Sequence, residues 1–204
     1  TALGLEKTGG GKPGRPINGI LSPVFASFAE LDEREAGYVR VAVPQDMLET
    51  TSWIQVPKGG KCWVYVPKLD GHEAGEGLQM ASYSHPILQT YVDVCLLGCL
   101  EQSMESAAEF IRSTVGWDGP WLNDREIARR PWLRQSEYKK IDALLRDVIP
   151  VELAGRMMPE EMGAKMATMI EEQRAAVRLT TKVAQRWASQ AGVQTDLERH
   201  HHHS

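Results

Sequence analysis

Apolar and polar residues alternate along the first part of the chain and change their period near residue 84. Tyr38-Val39-Arg40-Val41-Ala42-Val43 alternates and is rich in β-branched residues, which suit a pleated, half-buried strand. Pro44 ends it. Gln45 to Thr50 reads as one helical turn or a wide loop. Ser52 to Val56 is a second strand candidate and Lys61 to Val66 a third, separated by the turn signal Pro57-Lys58-Gly59-Gly60. That spacing predicts a hairpin between the last two, with Trp53 near Trp63. Upstream, Ile20 to Phe28 reads as a strand or a short helix. Downstream, Leu78 to Tyr83 reads as a strand or the approach to a helix.

From Ser84 the pattern turns helical. Ser84 is placed as an N-cap, with Pro86 just inside the first turn. The helix is expected to reach about Thr114, before Gly116. Its first half, Pro86 to Leu100, is apolar nearly all round, so it must be enclosed. Asn123 or Asp124 is expected to cap a short helix to Arg130, which Pro131 breaks. Ser136 caps the next helix, to Val148, with Ile141, Leu144, Leu145 and Val148 on one face. Glu152 to Met157 forms a short turn or helix. Pro159 starts the last long helix, with Glu160 and Glu161 in a first turn that favours acids, and the helix runs to about Gln190. Its seam of Met162, Met166, Met169, Gln173, Ala176, Thr180, Val183 and Trp187 steps alternately by four and three, approximating a heptad.

The expected fold class is therefore α+β. A small β-rich N-terminal part, a hairpin with a flanking strand, precedes a helical C-terminal part with a buried central helix and a long final helix. The expected domains are a flexible, basic, Gly-rich tail at 1–16, a β-rich subdomain at 17–84 and a helical subdomain at 85–192. Residues 197–204 read as vector sequence and a purification tag.

Composition changes this picture only in places. With 42% apolar and 25% charged residues among 204, collagen-like, mucin-like and fully disordered chains are excluded. Three cysteines are too few for a disulfide scaffold, and their use agrees with a reducing compartment, so the cytoplasm is expected. No membrane span and no signal peptide is expected. Setting the tag aside leaves His72 and His85, little material for histidine chemistry. Gly11-Lys12 lacks the strand, helix and Ser or Thr of a phosphate-binding loop.

Net charge is −4, but it is unevenly placed. Arg125, Arg129, Arg130, Arg134, Lys139 and Lys140 cluster around Trp121, Trp132 and Tyr138. Basic groups attract phosphate and aromatic rings stack on bases, so this segment is a candidate nucleic-acid or partner surface. The alternative is that Trp121 and Trp132 pack inside while the charges are solvated. Arg174, Arg178, Lys182 and Arg186 extend the basic set along the final helix, whose first half is acidic. Such a helix suits antiparallel pairing with a copy of itself or with another helix, and it also fits its own macrodipole. Met162, Met166, Met169 and Trp187 are the candidate oligomer interface.

Asp93, within the most apolar run, needs a partner: it is either a catalytic acid or an anchor bonding an arginine or backbone amides. Cys95 and Cys99 share a helix face and read as buried small hydrophobes rather than metal ligands. The loop with Asp70, His72, Glu73 and Glu76 reads as solvated. No metal, cofactor or catalytic residue is assigned. The leading expectation is a non-enzymatic assembly or interaction protein that self-associates through its helical part, such as a structural or accessory subunit of a viral, phage or conjugative system. A nucleic-acid-binding factor using residues 121–140 is the alternative, and an enzyme centred on Asp93 or His72 the third.

Overall fold

A computed structural model describes residues 16–50, 55, 59–68, 80–128 and 136–190. The chain forms two compact units, Thr1–Arg156 and Met157–Ser204.

The first unit begins with helix α1 (Phe28–Arg34). Ser27 accepts from the Glu30 amide while the Glu30 carboxylate accepts from the Ser27 amide, so two amides of the first turn are satisfied reciprocally. Strands β1 (Tyr38–Val43) and β2 (Cys62–Pro67) then pair antiparallel, with Tyr38 opposite Pro67 and Val43 opposite Cys62. The hairpin therefore joins the first and third strand candidates. Trp63 lies opposite Ala42, and Ser52 to Val56, with Trp53, falls outside the described residues apart from Gln55. A short 3₁₀ turn occupies Gln45–Met47.

The two faces of this hairpin differ. On one, Arg40 donates to both oxygens of Asp32, and its guanidinium sits 4.0 Å from the Phe28 ring and 4.8 Å from the Trp63 ring. The Tyr65 hydroxyl donates to Asp32 at 2.7 Å. These contacts tie α1 to the hairpin. The other face is aliphatic, with Val39 against Val66 and Val41 against Val64.

The helical core follows. Strand β3 (Ile87–Leu88) pairs in parallel with β4 (Trp121–Leu122), and β5 (Arg156–Met157) completes a short three-stranded sheet in the order β3-β4-β5. Helix α2 (Gln89–Gln102) is the central one: among residues 89–100 only Gly98 is exposed. Helices α3 (Met104–Ser113) and α4 (Tyr138–Val148) pack against it, and α5 (Pro150–Ala154) packs against α4. The core comprises Val92 and Leu96 of α2, Ala107, Ala108 and Ile111 of α3, Trp117, Trp121, and Ile141, Leu144 and Leu145 of α4. Trp121 has no exposed surface, with its ring 5.2 Å from that of Trp117. Gly116, at φ +87°, ends the loop after α3 in a conformation that favours glycine.

Three helix boundaries differ from expectation: α4 starts after Glu137 with no side-chain cap rather than from Ser136, and two others lie at α2 and α3. The helix expected to begin at Ser84 begins at Gln89, because Ile87 and Leu88 are drawn into the sheet. It also breaks at Ser103, whose extended backbone and side chain, accepting from the Ser106 amide, start α3 afresh. The second unit carries α6 (Pro159–Gln190), 32 residues long, as its pattern predicted. No helix among the described residues is long and apolar enough to cross a membrane.

Candidate functional site

Asp93 is fully buried on α2, one turn after the equally buried Gln89. A carboxylate there costs several kcal/mol unless it is paired and hydrogen-bonded. Arg125 supplies the pair. Its Nε and Nη2 donate to the two Asp93 oxygens at 2.8 and 2.7 Å. Its Nη1 and Nη2 donate to Asp142 of α4 at 2.9 and 3.0 Å. Arg156 donates from Nη1 to Asp142 at 2.9 Å and to the Gln89 carbonyl oxygen at 2.7 Å. Gln89 closes the ring by donating to Asp93 at 2.8 Å. The Tyr138 ring lies 5.0 Å from the Arg125 guanidinium.

Two arginines against two aspartates leave this network neutral. Burial pushes the Asp142 carboxyl up, but hydrogen bonds from Arg156 and Arg125 and their charges outweigh it and hold it below the ordinary range. Burial also opposes the charge on Arg125, yet Asp93 and Asp142 hold it protonated above its usual value. The arrangement fixes charge in place and clamps α2, α4 and the 121–128 segment together. Asp93 is thus the anchor bonding an arginine that its apolar surroundings required.

Asp124 performs a separate task. Its carboxylate accepts from the Thr90 amide at 2.9 Å and the Thr90 hydroxyl at 2.6 Å. It therefore satisfies the first turn of α2 rather than capping a helix of its own.

The basic segment read from the sequence is divided by the fold. Arg125 is 9% exposed and engaged by two carboxylates, so it is withdrawn from the surface. Lys139 and Lys140 are exposed in the first turn of α4. Arg129, Arg130, Trp132 and Arg134 lie outside the described residues, as do Asp70, His72, Glu73 and Glu76. Gln89, Asp142 and Arg156 were missed. Gln89 and Asp93, four apart in an apolar run, are the one signal that marked this polar centre.

Cys95 and Cys99 are half-buried on α2. Burial, with some help from Cys99 and against a Tyr91 hydrogen bond, pushes the Cys95 thiol up to about 11, and burial raises Cys99 as well. Neither is a ready thiolate at neutral pH. Among the described residues no three His, Cys, Asp or Glu side chains gather to hold a metal.

The other candidate surface is α6. Met162 is buried and Met166 half-buried, but every residue from Ala167 to Trp187 is exposed. Met169 is 46%, Ile170 46%, Val177 61% and Trp187 72% exposed. Arg174, Arg178, Lys182 and Arg186 are exposed on the same helix, and Arg174 bonds Glu171 one turn back. A seam that is apolar at its two ends and carries Gln173 and Thr180 in its middle thus stands open to solvent.

No protein-family model, no curated protein and no solved structure matches this chain.

Proposed function

We propose that the protein is a non-enzymatic assembly protein that self-associates through its helical part, with α6 as the contact. One observation carries this reading: a seam at four-and-three spacing, apolar at Met169, Ala176, Val183 and Trp187 and interrupted by Gln173 and Thr180, lies along a helix exposed from Ala167 to Trp187. An isolated amphipathic helix gains most of its stability from burying its apolar stripe. Contiguous exposed apolar surface of this kind marks an interaction site. The methionines at the start of the seam adapt to irregular contacts.

Sedimentation equilibrium over a micromolar concentration series tests it. The expected result is concentration-dependent association that Trp187→Glu weakens at least tenfold, since a charge at a seam position must be desolvated on pairing. Trp187 is 72% exposed, so the substitution leaves the fold of one copy intact. A strict monomer at every concentration overturns the reading.

A second reading, a nucleic-acid-binding accessory factor, is supported by the exposed row Arg174, Arg178, Lys182 and Arg186 and by exposed Lys139 and Lys140. Its mark is salt-sensitive retention of DNA or RNA on a filter. No retention at low salt removes it.

A further inference from the structure

We infer that the partner of α6 is α6 of a second copy, running antiparallel and centred on Arg178; this rests on the self-association proposed above and specifies its geometry. The argument starts from which part of the helix is free. Met162 is already buried and Met166 half-buried, so the open stretch is Ala167 to Trp187, whose middle lies at Val177 and Arg178. A two-fold axis there makes the same surface serve both copies.

This register pairs most of the exposed apolar side chains with one another, leaving Val183 against Gln173 and Ala176 against Thr180. Met169 meets Trp187 of the other copy, and Ile170 meets Ala184. Val177 and Leu179 each meet their own symmetry mates. Leu179 matters most, because it is 65% exposed and lies off the seam on its flank. The same flank carries Glu172 and Arg186, seven residues to either side of it. In antiparallel pairing centred on Arg178, Glu172 of each copy faces Arg186 of the other, so two opposite-charge pairs frame the Leu179 contact.

The competing arrangements do worse. Antiparallel pairing centred on the whole seam, Met162 to Trp187, sets Lys165 against Arg186 and Leu179 against Glu172. Parallel pairing brings Gln173, Thr180 and Trp187 each against its own copy and sets Glu172 beside Val177. Flanking charges select partner orientation in helix pairs, and only the register centred on Arg178 makes them complementary.

Charge reversal tests this on the full chain. Glu172→Arg alone places arginine against arginine twice per dimer, and Arg186→Glu alone places glutamate against glutamate twice. Each single variant is expected to dimerise about tenfold more weakly than the unaltered chain, from two flanking pairs turned repulsive. An equimolar mixture of the two variants re-creates both opposite-charge pairs and is expected to form a heterodimer as tight as the original. Sedimentation reads all three, and circular dichroism checks that the helix content is unchanged. If the chain dimerises but the single variants do not weaken it, or their mixture does not restore it, the antiparallel register is overturned while self-association stands. A chain that is monomeric throughout overturns both.

Discussion

Asp93 has no exposed surface, yet an arginine nitrogen lies 2.7 Å from one of its oxygens and a second lies 2.8 Å from the other. Its place in an apolar run announced that a partner must exist. The identity of that partner was not legible, because Arg125 is 32 positions away and joins it only through the fold. The same separation hid Arg156, which reaches back 67 positions to Gln89. Asp142 links both arginines and makes the network sensitive to acid. Its carboxyl is held below the ordinary 3.8, so its stabilisation is fully present above that value and is lost as the pH falls through the lowered one. At pH 6, Asp142→Asn is expected to cost about 3 kcal/mol, since it leaves two arginines with one carboxylate. The difference between the two proteins in urea unfolding should shrink below pH ~4, where the unfolded chain takes up the proton that native Asp142 still resists. A gap of constant size down to pH ~2 would place the cost in packing rather than charge.

At the scale of elements, period and punctuation carried most of what could be read. β1 alternates, α4 shows one apolar face, and α6 opens on Pro159 with acids in its first turn. Apart from the local break at Ser103 and the start of α4, the misses involve distant partners. The pattern around Ser84 to Thr114 is helical without interruption, but β3 takes Ile87 and Leu88 to pair with Trp121 and Leu122. β2 pairs with β1, the first strand candidate, across the connection from Pro44 to Lys61. Likewise Asp124 was legible as a cap, but for the wrong helix. It accepts from the amide and hydroxyl of Thr90, 34 positions earlier. Asp124→Ala is therefore expected to loosen the start of α2, at about 1–2 kcal/mol, the range for losing a helix cap. Hydrogen exchange should then speed up first at the amides of the opening turn of α2. Unchanged exchange there would mean that the β3–β4 pairing alone holds that end.

For the whole molecule, the change of composition at residue 84 marks a change of element type inside the first compact unit. The hairpin and the helical core are both held in that unit by their own contacts: Arg40 between Phe28 and Trp63 for one, the Trp121 core and the Asp93 network for the other. The buried apolar core ends at Leu145 except for Met162. Among the described residues, the part of α6 beyond Met166 adds no buried residue to a single copy, so the fold of one copy is expected not to depend on it. A chain ending after Met166 should keep the cooperative unfolding and the near-ultraviolet tryptophan spectrum of the full chain, because Trp117 and Trp121 keep their surroundings. Its unfolding midpoint at low protein concentration should move little, since removing exposed residues usually changes stability by no more than about 0.5 kcal/mol each way. At high concentration the two should part: the full chain gains stability by mass action as copies associate, and the shortened chain does not. Thermal unfolding across a hundredfold concentration range separates the cases. A midpoint that rises with concentration in both chains would move the contact off α6, and the exposed Val39 and Val41 on the open face of the hairpin would then be the surface to alter next.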